Sequence, residues 1–151
     1  MSNSVKPVKI LLVEDNPGDV RLAREGLKES GLYSELWDVP DGEQALEFLH
    51  RRSDHADVPR PDLILLDLNL PRMNGRELLR EIKQDPGLRA IPVVVLSMSK
   101  AEKDITAAYD LHANCYITKP IDLDRFIDVV QGIRDFWFTI VQLPTESSHG
   151  G

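Results

Sequence analysis

Three short runs, VKILLV at 8–13, LILL at 63–66 and VVVL at 93–96, are apolar with almost no interruption. A strand with one wet face alternates apolar and polar residues; a strand covered on both faces does not. The runs are also too brief to be buried helices. Two weaker runs, Leu36–Val39 with its Trp37 and Cys115–Ile117, have strand length as well. Between the five lie segments of helical spacing. Asn16-Pro17 supplies a cap and a first-turn proline, Val20, Ala23 and Leu27 then share a face, and Gly31 suits the closing position. Asp41-Gly42 opens a segment carrying Ala45, Leu46 and Leu49. Asn74-Gly75 opens one carrying Leu78, Leu79 and Ile82, ended by Asp85-Pro86-Gly87. Residues 101–111 are helical by composition, residues 122–141 make a last helix, and residues 50–61 form a polar, proline-bearing loop. Strands alternating with helices predict an α/β fold, a doubly wound five-stranded parallel sheet with helices on both faces.

In such a sheet the functional site lies outside the carboxyl ends of the strands, at the switch in strand order. The residues predicted there are informative. The first strand ends in Glu14-Asp15, the third at Asp67, the fourth at Ser97, and the fifth is followed by Lys119-Pro120. Asp67 stands out because it closes a run suited to the driest part of a protein, and an unpaired buried carboxylate costs several kcal/mol. Either Asp67 emerges at the rim of the sheet or something cationic meets it. Three carboxylates in one place repel, and a divalent cation resolves the repulsion; Mg²⁺ takes hard oxygen ligands, commonly one or two carboxylates with waters and a phosphate. Singly, each residue has an ordinary reading: Glu14-Asp15 can serve a helix dipole, Ser97 is uninformative, and Lys119 suits a solvated surface. The conjunction carries the weight.

Bulk properties narrow the classes. The chain has 151 residues, enough for one domain with a proper core, and its 42% hydrophobic and 28% charged content is that of a globular protein. A net charge of −7 argues against non-specific nucleic-acid binding. No run of 18 apolar residues offers a membrane span, and MSNSVKPVK has no signal-peptide core. One cysteine, Cys115, forms no internal disulfide, which points to the cytoplasm. No glycine-rich phosphate loop follows the first strand, which excludes the common nucleotide-binding motifs.

The pieces LLVEDN at 11–16, DLILLDLNLPRMNG at 62–75, PVVVLS at 92–97 and YITKP at 116–120 together resemble the receiver domain of two-component response regulators. The resemblance covers roughly residues 8–138. More narrowly, HANCYITKPIDLDRF and DFWFTIVQLP resemble single-domain regulators paired with bacterial phytochrome histidine kinases. It implies a flavodoxin-like receiver domain over 1–143, including an extended C-terminal helix, with 144–151 as a disordered tail. It implies that Asp67 accepts a phosphoryl group from a histidine of a sensor kinase. Asp15, Asp67 and the backbone carbonyl of Asn69 would ligate Mg²⁺, with Glu14 holding a metal-bound water. Ser97 and Lys119 would meet phosphoryl oxygens, the Lys119-Pro120 peptide would be cis, and Tyr116 would turn inward as Ser97 moves. Ser97 departs from the threonine frequent in the family, and Met98 is bulkier than the residue usual there.

The last helix adds a partner expectation. Leu123, Phe126, Ile127, Val130, Ile133 and Trp137 form a stripe that can cover the sheet, yet Phe136, Trp137, Phe138 and Ile140 leave the helix apolar all round. A homodimer through this region is the reading adopted, which the resemblance also implies; folding back on the same domain is the alternative. Two other functions stay in view. A Mg²⁺-dependent aspartyl-phosphate phosphatase or phosphotransferase wants a second acid two residues after the nucleophile, where Asn69 stands. A degenerate receiver used as a scaffold would lack a site residue, and none is missing. A non-enzymatic phosphorelay module is therefore expected, without nucleic-acid or membrane partners.

Overall fold

A computed structural model describes residues 6–52, 57–70, 73–97, 105, 115–118 and 122–132. Five parallel strands form one sheet: β1 (Val8–Val13), β2 (Ser34–Val39), β3 (Leu63–Asp67), β4 (Val93–Ser97) and β5 (Cys115–Thr118), in the order β2-β1-β3-β4-β5. The chain adds β2 on one side of β1 and β3 on the other. The strand order therefore reverses between β1 and β3, which is where such sheets place their sites.

The apolar runs are covered twice, as their composition requires. Every residue of β3 and β4 is buried. In β1, Leu11 and Val13 join the core on one face, while Ile10 and Leu12 join the core on the other. The first face is covered by α2 (Gly42–Leu49) and α3 (Gly75–Gln84), through Ala45, Phe48, Leu78, Leu79 and Ile82. The second is covered by α1 (Pro17–Ser30) and α4 (123–132), through Ala23, Leu27, Phe126 and Val130. The doubly wound fold read from the sequence is the one observed. Among the described residues no helix is long and apolar enough to cross a membrane.

Local chemistry fixes each helix start. The Asn16 side chain accepts from the N–H groups of Gly18 (2.8 Å) and Asp19 (3.2 Å), and Pro17 follows in the first turn. Asp41 accepts from Gln44 N–H (2.8 Å), and Asp122 from Arg125 N–H (2.8 Å). At α3, Asn74 and Glu77 form a reciprocal capping box. α1 closes on Gly31 at φ 78°, and α3 ends at Asp85, whose carboxylate accepts from Gly87 N–H (2.7 Å). The half-buried Lys83 ammonium ties the following turn by donating to the carbonyls of Arg89 (3.1 Å) and Ile91 (2.9 Å); burial lowers its pKa.

Two details differ from the sequence reading. β2 starts at Ser34 rather than Leu36, because its pairing with β1 begins at Val8↔Ser34 whatever the polarity of the residues. It is an edge strand, and Glu35 and Asp38 lie exposed on it, with Arg24 ion-paired to Asp38 at 2.5 Å. In α2 the deepest large side chain is Phe48, which packs near Trp37 with ring centroids 6.3 Å apart. Leu46 and Leu49 flank it half-buried. Of the stretch expected to be helical at 101–111, Ile105 alone is described, with helical backbone; residues 133–151 lie outside the described residues.

α1 and α4 meet through a glycine. A Cβ on Gly26 would lie 2.1 Å from the Phe126 ring. Gly26→Ala is therefore expected to destabilise the fold by about 1–3 kcal/mol, since the ring must rotate or α4 shift. Urea denaturation measures it. Unchanged stability would show that α4 is not seated on α1.

Candidate functional site

Because all five strands run the same way, their carboxyl ends lie on one rim. β1 delivers Glu14 and Asp15. The Glu14 N–H continues the ladder to the Val39 carbonyl (3.0 Å), and the Glu14 carboxylate accepts from Asn16 N–H (3.3 Å). Glu14 is 3% exposed, whereas Asp15 is exposed. β3 delivers Asp67, 5% exposed. Its Oδ1 accepts from Asn69 N–H at 3.0 Å, which turns the chain directly after the strand. The sequence reading offered Asp67 either a rim position or a cation. The structure puts it at the rim yet keeps it buried, because the turn after β3 and the start of α3 close over it.

That closure depends on Gly75. Its N–H donates to the Leu68 carbonyl (3.1 Å), and Leu68 N–H donates to Leu96 (3.3 Å). A Cβ at position 75 would stand 2.4 Å from the Leu68 Cα and 2.6 Å from the Asp67 carbonyl oxygen. The first turn of α3 thus rests on the backbone that carries Asp67.

Glu14, Asp15 and Asp67 each bring a carboxylate oxygen within 4.8 Å of the others. Two of these acids are buried, so water screens their repulsion poorly. One hard cation can offset most of that charge, and an all-oxygen donor set suits a divalent ion. β4 adds Ser97, 1% exposed, one residue beyond Leu96, the neighbour of Asp67 across the sheet. Tyr116 pairs with Val95 and packs half-buried on the α2–α3 face. By the two-residue period of a strand, Ser97 projects from that same face. Asn69 is exposed beside the acids.

Lys119, Pro120, Met98, Phe136, Trp137, Phe138 and Ile140 lie outside the described residues. One group near the site was missed in the sequence. Asp19, in the first turn of α1, shares with Glu14, Leu96 and Phe126 a cavity of about 20 Å³, room for about one water. Its only sequence signal was its place three residues after the cap Asn16.

The model of the response regulator receiver domain matches residues 10–131. The chain belongs to this family. Among curated relatives, the response regulator Rcp1 of Synechocystis sp. is 51% identical over 145 residues, covering 95% of this chain and 99% of Rcp1. Among solved structures, the phosphorylated cyanobacterial phytochrome response regulator RcpA superposes with a TM-score of 0.80 at 52% identity, covering 88% of this chain and 95% of RcpA. The Mn²⁺-bound form of Rcp1 gives 0.78 at 52% identity, covering 87% and 94%. The molecule is a receiver-domain response regulator of a signalling family, similar to phytochrome response regulators, and its carboxylate cluster is of the kind that holds a divalent metal.

Proposed function

We propose that the chain is the phosphoryl-accepting partner of a sensor histidine kinase, with Asp67 as acceptor. The observation that carries this reading is the cluster of Glu14, Asp15 and Asp67 at the reversal of strand order. An Asp67 oxygen attacks the phosphorus. The bond from phosphorus to the kinase imidazole nitrogen breaks, and its electron pair returns to that nitrogen. Bound Mg²⁺ supplies positive charge that lets an anionic phosphoryl group approach a carboxylate. Asp15, Asp67 and the Asn69 carbonyl would hold it, and Glu14 would act through a water.

The remaining roles rest on the likeness to the receiver family. Ser97 donates its hydroxyl to one phosphoryl oxygen, and Lys119 pairs with another. Charge-assisted bonds of this kind contribute about 1.5–3 kcal/mol each. That is enough to draw Ser97 toward the phosphoryl group and let Tyr116, on the same sheet face, turn inward. The similarity to RcpA and Rcp1 supports a phytochrome-type kinase as donor, in the cytoplasm. The aromatic run Phe136, Trp137, Phe138 with Ile140 supports a homodimer. Output then comes through protein contact, not through turnover of a substrate.

The test is phosphotransfer from an autophosphorylated histidine kinase of the phytochrome class. Label is expected to reach the chain in Mg²⁺ and to fall to background in excess chelator. Label that ignores the chelator, or steady hydrolysis of a small phosphate ester, would overturn the reading.

A further inference from the structure

At the amino-terminal edge of the sheet, away from the acid cluster, α2 ends in an unusual way. Arg51 N–H donates to the Phe48 carbonyl (3.1 Å) and Arg52 N–H to the Glu47 carbonyl (2.8 Å). This is the paired closure of a Schellman motif, whose left-handed residue is most often glycine because a Cβ is crowded there. Here that residue is Arg51, at φ 56°. Among the described residues no other non-glycine residue has positive φ, and α1 closes on Gly31 in the ordinary manner. The chain accepts a local penalty at position 51 and obtains a guanidinium there.

Arg51 lines a groove of about 370 Å³. Its walls come from the end of α2, the approach to β3 and the turn after α3. Leu49 and Leu88 give it an apolar floor, and Arg60 crosses to it by donating to the Gly87 carbonyl. The acid among its lining residues, Asp85, is already engaged, accepting from Gly87 N–H (2.7 Å) and facing His50 at 3.5 Å. Arg51 and Arg60 are exposed, and among the described residues neither makes an ion pair. In a chain of net charge −7, two arginines with no ion pair among the described residues, beside two leucines, form a cationic surface.

We infer that this groove docks an acidic segment of a partner protein. Guanidinium forks match carboxylates two bonds at a time, and the leucines between them accept one apolar side chain of the same segment. A long polyanion such as nucleic acid would meet repulsion from the acidic remainder of the chain. The groove is separate from the carboxylate cluster, so docking does not require phosphoryl transfer.

The probe is a dye-labelled peptide alternating glutamate and leucine, titrated with the full chain and followed by fluorescence anisotropy. Arg51→Gly removes the guanidinium and supplies the residue the cap prefers, so its melting temperature rises while its affinity for the peptide falls by about tenfold. Arg21→Gln, on the opposite face of the sheet, removes the same charge and leaves affinity within about twofold. Three results overturn the inference: no binding by the wild-type chain, equal weakening by Arg21→Gln and Arg51→Gly, or tighter binding of a dye-labelled oligothymidylate than of the peptide.

Discussion

Asp67→Asn is expected to abolish phosphoryl acceptance while the fold survives. The amide has nearly the shape of the carboxylate and can keep the bond from Asn69 N–H, now 3.0 Å long, but its oxygen is no nucleophile toward phosphorus. In metal-free buffer the variant should melt at or above the wild-type temperature. It removes one of three carboxylates clustered within 4.8 Å, two of them buried, and so relieves repulsion. Divalent cation should reverse that order. A ligand at a hundred times its dissociation constant stabilises the protein it binds by about 2.7 kcal/mol. With one ligand charge gone, binding should weaken by about tenfold or more, and about half of that gain or more should vanish. Thermal melts with and without Mg²⁺, beside phosphotransfer on the same samples, read both effects. A variant that still accepts label, or that unfolds without metal, would mean that Asp67 serves the core and not the chemistry.

Gly75→Ala should be the most damaging single methyl in the described structure outside the acids. The added Cβ would meet the Leu68 Cα at 2.4 Å and the Asp67 carbonyl oxygen at 2.6 Å. Both are backbone atoms inside a hydrogen-bonded turn, so neither can swing aside as the Phe126 ring can near Gly26. A loss of about 3 kcal/mol or more is expected, a large share of what a domain of this size has in reserve. The start of α3 must lift from the turn after β3, so cation binding should weaken in parallel. Urea denaturation gives the first quantity and a Mg²⁺ titration the second. Wild-type stability in this variant would show that α3 does not sit on the Asp67 backbone.

The legible parts of this molecule were those that a short stretch of chain determines by itself. LILL and VVVL are apolar because both faces of their strands are covered, so β3 and β4 could be read directly, as could the capped starts of α1, α2 and α3. The acid cluster was legible for a related reason: parallel strands share a carboxyl edge, so strand ends far apart in sequence converge. What depends on the angle or closeness of two elements was not. Ala45, Leu46, Phe48 and Leu49 are all apolar within one short helix, and the tilt of α2 decides that Phe48 goes deeper than Leu46 and Leu49. The burial of Asp67 depends on how tightly α3 seats through Gly75, and the approach of Asp19 to Glu14 on the first turn of α1. The left-handed cap at Arg51 had no sequence signal at all, because arginine is not the residue that marks such a turn.

Whether Asp67 carries the phosphoryl group is read by locating that group. The wild-type chain, phosphorylated by a histidine kinase in Mg²⁺, is trapped, digested and sequenced by mass spectrometry. One phosphoryl group is expected, on Asp67, labile to hydroxylamine as an acyl phosphate is. A stable phosphoryl group on Ser97 or on a histidine, with Asp67 unmodified, would contradict it.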